Sequence, residues 1–457
     1  MFTRRPRAPL PHQPGIEHPE PREAQTAATL RGHIHDIQET TLRRCGHAMR
    51  GLHNKSHALL EGELQVLPGL PVPLAQGMFA RPGRYPVIMR LSSNRGDVLD
   101  DDISVPRGMA LKVVGVEGRR LPGSEADRTQ DWVMVNQPAF TEADLRVFAR
   151  NLAVVDATTE TGLAWKKALG ALLRPVVAAA RTAGLQAATL TTMGGHPLTH
   201  PLGETYYTQV PFRHGDYVAK LSLAPVSPAL ARLRNQPVDL RGRPNGLREE
   251  VIRFFQAHGA EWELRVQLRT DARTMPIEDA SAEWPESESP YVPVARIRVA
   301  PQPAWSEARA RQVDDGLAFS PWHGLLAHQP LGSVNRARLL SYQEGAAFRA
   351  RHNRCPVAEP RARVALSGQP PQTYGTAPGR EGRRPGTPDA PPSAGAAPPR
   401  GLAPASANGQ GSTAATLVLS GLVLGAVVLG LGRRRAGAPG PARHRQRAAR
   451  AVPVVAG

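Results

Sequence analysis

The chain has 457 residues, 41% of them hydrophobic, enough to build one large domain or two ordinary ones. Its formal net charge of +18 is concentrated at one end: beyond residue 360 stand 13 Arg against 2 acids, so +11 of the surplus belongs to that tail and +7 to the body. Aromatic residues make up only 5%, and no basic stripe is interleaved with rings, so stacking on bases is unsupported and no nucleic-acid partner is expected.

The first stretch, "MFTRRPRAPLPHQPGIEHPEP", is charged and proline-rich without an apolar run. No secretory signal is expected there, and residues 1–23 are expected to form a disordered arm. Residues 24–360 mix helical and strand patterns and form the folded body. Strand-like alternation recurs in "YPVIMRLSS", "MALKVVGVEG", "DWVMVNQPAF", "YVAKLSLAPV", "WELRVQLRT" and "ARIRVA", with turn signals between them. Few helices separate these runs, which favours an antiparallel barrel or sandwich over a parallel sheet. Helical periodicity fills "EADLRVFARNLAVVDATTETGLAWKKALGALLRPVVAAARTAG" and a later segment around Tyr342. The predicted class is α+β.

Residues 361–411 are Pro/Gly/Ala-rich and read as a linker that cannot bury enough apolar surface to fold. Residues 412–432 contain "TAATLVLSGLVLGAVVLGLG", about the length that spans a bilayer core, and Arg433, Arg434 and Arg435 follow at once. A single transmembrane helix is expected there, with a basic tail over 433–457. The side of the membrane on which the body sits is left open, as is the oligomeric state. The two cysteines, Cys45 and Cys355, have no CxxC or Cys/His context and are expected as lone thiols.

Chemistry-bearing residues gather in four places. "MRGLHNKSHALLEGELQVL" holds Arg50, His53, Lys55 and His57; "MRLSSN" holds Arg90, Ser92 and Ser93; "DWVMVNQPAF" holds Asn136 and Phe140. The fourth, "RLLSYQEGAAFR", places Arg338, Tyr342 and Arg349 at i, i+4 and i+11, on one helical face, with Leu339, Leu340, Ala346 and Phe348 available for packing. A phenol bracketed by guanidinium groups suits a phenolate presented to a cation. His53 and His57 lack a third ligand at matching spacing, so no zinc or iron is expected on that pair.

Taken in order, these blocks resemble the haem catalase superfamily, and its shorter catalase-related members most of all. "RGLHNKS", "RLSS", "PRGMALKV", "DWVMVNQPAF", "AFSPWHG" and "RLLSYQEGAAFR" follow the family's order from Arg50 to Arg349. The resemblance implies an antiparallel β-barrel with flanking helices and a haem b cofactor, with hydrogen peroxide as substrate in a catalase or peroxidase reaction. It implies Tyr342 as the iron ligand, held as a phenolate by Arg338, because a free phenol titrates near 10 and needs positive charge beside it. Arg50, Arg90 and Arg349 fall where the family's arginines meet the haem propionates. His53 is the expected general base, oriented by Ser92, and Phe140 and Phe148 match apolar positions on the distal side. Aligned on the Pro and Phe of "NQPAF", Val135 stands where the family has its distal Asn, and Asn136 comes one residue later. Strand alternation sends Asn136 to the other face; its place in the expected catalytic set depends on a bulge. Related readings on the same scaffold are a lyase or isomerase of organic or fatty-acid hydroperoxides, or a membrane-anchored haem-binding protein without turnover.

Overall fold

Alternation in "RYPVIMRLSS" decides the main layer. Val87, Met89 and Leu91 point to one face, where they join the large apolar cluster with Leu60, Leu111, Trp132, Leu221, Leu264 and Ile297. Arg90 and Ser92 point to the other. The structure, a computed structural model, describes residues 7–96, 98–157 and 195–367 and part of the stretch 170–179. Among the described residues, nine strands form one antiparallel sheet: β1 (Ser56–Val66), β2 (Arg84–Ser93), β3 (Arg107–Val114), β4 (Thr129–Val135), β5 (Tyr206–Tyr207), β6 (Phe212–His214), β7 (Tyr217–Pro225), β8 (Ala260–Leu268) and β9 (Val292–Val299). The order β5-β4-β3-β2-β1-β9-β8-β7 closes through β5–β7 pairing into an eight-stranded barrel, and β6 adds to β7 as a hairpin. Closure leaves those eight strands without free edges.

All six strands expected from alternation are present. β1 was hidden because "SHALLEGELQV" buries consecutive residues, Ala58, Leu59 and Leu60, instead of every second one. Among the described residues, four longer helices flank the barrel: α1 (Glu23–Cys45), α2 (Leu145–Ala157), α3 (Gly246–Ala257) and α4 (Ser333–Asn353). Leu30 and Ile37 of α1, Leu145 and Leu152 of α2 and Ala337 of α4 form a second apolar cluster. Gly46 ends α1 at φ 66°, its N–H donating to the Leu42 carbonyl, a conformation glycine adopts without Cβ strain. On α4 Phe348 is buried as expected, whereas Leu340 is 44% exposed.

Residues 7–22, expected as part of a disordered arm, run along the body. The Leu10 N–H donates to the Arg269 carbonyl at 2.8 Å, the His12 N–H to the Asp216 carbonyl at 2.7 Å, and the His18 N–H to Glu278 at 2.8 Å. Arg336 of α4 ties the arm down by binding Glu17, Glu23 and Glu278 together. Proline-rich sequence is extended by nature, and here its backbone donors find fixed acceptors. Both cysteines are free. The linker beyond residue 367, the apolar segment 412–432 and the basic tail 433–457 lie outside the described residues, as does most of the helical pattern after Ala157. Among the described residues no helix is long and apolar enough to cross a membrane.

Several charged groups are buried on the face opposite the apolar cluster. Lys112 and Asp131, cross-strand partners with side chains fully enclosed, meet at 2.8 Å. Glu359, from the segment after α4, binds the same ammonium, and His323 lies 3.3–3.4 Å from both carboxylates. Burial alone would lower the His323 pKa, but the two carboxylates outweigh it and lift it to about 9. The opposite holds for His53, His200 and His214: burial leads in each case, giving values of about 3, 4 and 4. Unfolded histidine titrates near 6.5, so below that pH the unfolded chain binds protons that these three sites refuse, and stability falls with pH. His323 contributes stability that is complete below about pH 6.5 and disappears as pH rises through 9. Thermal melts should therefore show Tm dropping from pH 6.5 to 4. The Tm gap between wild type and H323Q should be widest below pH 6.5 and close by about pH 9.

Candidate functional site

The loop between α1 and β1 brings Arg50 and His53 to the charged face of the sheet. His53 takes φ 54°, a left-handed conformation uncommon for residues other than glycine. The loop is pinned to the end of β2 by Asn54 N–H donating to the Arg95 carbonyl at 3.2 Å and Ser93 N–H to the Lys55 carbonyl at 3.1 Å. The His53 ring then lies against Gly108 of β3. A Cβ built on Gly108 would stand 2.5 Å from both Nδ1 and Cε1 of that ring, so only glycine leaves room for it. Ser92 and Val135 are the residues paired with Gly108 across β2 and β4, and paired residues share a face. The imidazole thus fills the gap between Ser92 and Val135, with Nδ1 3.3 Å from the Ser92 hydroxyl. Burial first, then the guanidinium groups of Arg90, Arg338 and Arg50, push its pKa down to about 3. The ring is neutral at physiological pH and can accept a proton.

A second feature sits beside it. Asp314, in a π-helical turn over Arg311–Asp315, accepts from Arg90 Nε at 2.6 Å, Arg50 Nη1 at 3.1 Å and the Ser56 hydroxyl at 2.7 Å. Arg50 also donates to the Asp314 and Leu317 carbonyls, both at 3.0 Å, and Arg349 of α4 to the Leu317 carbonyl at 3.2 Å. Three guanidinium groups from distant parts of the chain therefore converge, and one carboxylate, Asp314, bonds directly to two of them. The Arg349 Nε is buried without a hydrogen-bond partner. Burial and the charge of Arg90 lower the Arg349 pKa to about 10. For Asp314 burial acts upward, but Arg90 and Arg50 prevail and keep its pKa below the usual carboxylate range.

Arg338 and Tyr342 lie one turn apart on α4, both half-buried. Arg338 donates to the Asn335 side chain at 3.2 Å, and its guanidinium carbon is 5.9 Å from the centre of the Phe140 ring. Phe140 and Phe148 meet edge to face at 5.0 Å. The phenol of Tyr342 has no hydrogen-bond partner among the described residues.

Asn136 goes elsewhere. The β3–β4 register is regular from Val114↔Thr129 to Gly108↔Val135, so no bulge turns its side chain toward His53. Its Oδ1 accepts the Arg107 N–H at 2.8 Å, and its amide nitrogen serves His196 at 2.9 Å and Glu204 at 2.5 Å. Both amide N–H groups are committed, and the expected catalytic role is corrected to that of a strut in the buried Arg107–Glu204 network. Lys55 and His57 are likewise structural. Lys55 Nζ binds Asp101 at 2.7 Å and two carbonyls, while His57 is enclosed and bonded to Ser93 at 2.7 Å. Asp314 and Gly108 are the residues that sequence reasoning did not single out. The adjacent acids of "QVDDGLAFSP" are the signal that a counter-charge for the arginines was at hand.

Neither a protein-family model nor a curated protein matches the sequence. Among solved structures, catalase A from Saccharomyces cerevisiae aligns with a TM-score of 0.50 at 19% identity, covering 68% of this chain and 63% of that one. The chain has a catalase-like fold. A fungal catalase (TM-score 0.49, 18% identity, 68% and 61% covered) and a bacterial catalase (0.48, 16%, 74% and 66%) are also similar. The chain spans less than two thirds of the length of each of these catalases.

Removing Asp314 leaves Arg50, Arg90 and Arg349 buried together without their carboxylate. D314A should cost about 3–5 kcal/mol of stability, the usual range for breaking a buried ion pair, read as a lowered midpoint in guanidinium chloride.

Proposed function

We propose that this chain is a haem b-dependent oxidoreductase that takes a peroxide as its oxidant, working as a catalase or peroxidase. The observation that carries the reading is the arrangement around the charged face: a neutral buried imidazole, a cluster of guanidinium groups with an unpartnered Nε, and a phenol one helical turn beyond an arginine. Three arginines that outnumber their directly bonded carboxylate suit a group bearing two carboxylates of its own, such as the haem propionates, with Arg50, Arg90 and Arg349 as their partners. Tyr342 is the proposed iron ligand, and Arg338 stands four residues earlier on the same helical face. When bound, haem iron supplies the redox chemistry that splits a peroxide bond.

The residues of the chain do the rest. His53 accepts a proton from one peroxide oxygen and returns it to the other, which lets the O–O bond break heterolytically. Its low pKa keeps it unprotonated and ready, and the Ser92 hydroxyl, 3.3 Å from Nδ1, steadies the ring and leaves Nε2 as the nitrogen for the peroxide proton. Phe140 and Phe148 exclude water on the same side. The apolar segment 412–432 is proposed to tether the protein to a membrane.

Two measurements test this. Wild type reconstituted with haem should give a high-spin ferric spectrum of the phenolate-ligated type, and Y342F should lose it. H53Q should keep the spectrum and lose about 10²- to 10⁴-fold in peroxide turnover. Full haem content with an unaltered spectrum in Y342F would sink the assignment, and undiminished turnover in H53Q would leave a haem-binding protein whose base lies elsewhere.

A further inference from the structure

Away from the charged face, α1 and α2 bring another group of polar side chains together. His33 and Asp36 stand at i and i+3 on α1 and share one helical face, and Asp156 comes from the last turn of α2. One ligand atom from each of the three lies within 4.8 Å of the other two. His33 Nδ1 is 3.0 Å from an Asp156 carboxylate oxygen, and these side chains are 26% and 21% exposed. Leu30 and Ile37 of α1 pack with Leu145 and Leu152 of α2, so the two backbones that carry the group are fixed against each other.

Ion pairing within the chain does not account for this trio. One carboxylate is enough for a histidine, and Asp156 already serves. Asp36 has neither a hydrogen bond nor an ion pair among the described residues, and no Lys or Arg is bonded to Asp156 there. Two carboxylates held this close repel each other. The group at Asp131, His323 and Glu359 has a similar composition, but the Lys112 ammonium binds both of its acids. Around His33 the described residues supply no such cation.

We infer that His33, Asp36 and Asp156 form a site for a divalent transition ion of the zinc class, which clamps α2 to α1. One imidazole nitrogen and two carboxylate oxygens are ligands such ions take, with water in the fourth position. Ligand atoms around tetrahedral zinc stand about 3.3 Å apart, given bonds of about 2.0–2.1 Å. The His33–Asp156 spacing is already close to that, and a rotamer change at the exposed Asp36 supplies the rest. The charge of the ion matches that of the two carboxylates. Magnesium, which keeps to oxygen ligands in octahedral geometry, is a poor match for the imidazole. Because α2 carries Phe148, which meets Phe140 at 5.0 Å, the clamp also steadies the helix behind that ring pair. The site is separate from the haem reading and does not rest on it.

The test uses the full chain, freed of loosely held ions by a chelator and titrated with zinc chloride by calorimetry and thermal melts. Wild type should bind one ion at this site, with Tm raised by about 5 °C at a hundredfold excess over Kd. Magnesium at the same concentration should leave Tm unchanged. H33Q and D36N should each weaken zinc binding by about tenfold or more, while H323Q leaves it intact. In the chelator, D36N should melt at or above wild type, because it removes one of two repelling charges; a carboxylate with a structural bond would lower Tm instead. Absence of zinc binding in wild type, or undiminished binding in both folded H33Q and D36N, overturns the inference.

Discussion

One carboxylate organises the charged half of this molecule. Asp314 meets Arg50 from the loop before β1, Arg90 from the middle of β2 and Ser56 from the start of β1. Like charges brought together out of water repel strongly, and burial already pushes the Arg50 and Arg349 pKa values down. Without an anion among them the three arginines could not share this space. The turn that carries Asp314 also offers backbone carbonyls, and Leu317 accepts from Arg50 and Arg349 at once. Barrel, loop and α4 are thus joined at one point, and the placement of Tyr342 and Arg338 on α4 follows from it.

The second buried charge group braces the same region from behind. Asp131 accepts the Ser320 N–H at 3.0 Å as well as the Lys112 ammonium, so the segment from Leu317 to Ser320 is held between the two networks. Glu359 closes the group by binding Lys112 and the Thr129 hydroxyl. Asp131, His323 and Glu359 lie close enough together to suggest a metal site. The ammonium of Lys112 already supplies the positive charge there, and a protonated His323 completes the neutralisation. This is an ion-pair brace, with a net cost or gain set by how completely its members are paired.

How much of this was legible in the sequence follows from the range of each interaction. Half-buried strands announce themselves within ten residues, because alternation is a local property, and six of them were read that way. β1 was not, because it buries neighbours in succession. The order of motifs from Arg50 to Arg349 pointed to the residues that do converge: His53 on Ser92, Arg50 and Arg90 on one acid, Arg349 on the same loop. Asp314 itself was invisible because its partners lie 264 and 224 residues away, and no local pattern distinguishes a buried acid from a solvated one. The arm failed for the same reason, since its acceptors at Asp216, Arg269 and Glu278 are remote. Asn136 is the instructive case: the period of two placed it on the far face, and the regular β3–β4 register agrees.

That register also explains how a strand can serve as the bed for a buried histidine ring. A histidine carried on a loop has a mobile ring unless something fixes it, and a proton relay tolerates little misplacement. Here the strand supplies the fixing by omission: Gly108 removes a side chain, and its partners Ser92 and Val135 form the two sides of the slot. Ser92 is polar, and its hydroxyl lies 3.3 Å from Nδ1. Val135 is apolar and packs without competing for that nitrogen. The polar neighbour of the ring is therefore set by which of the two strands carries the hydroxyl, and its apolar neighbour by what the other strand carries in its place.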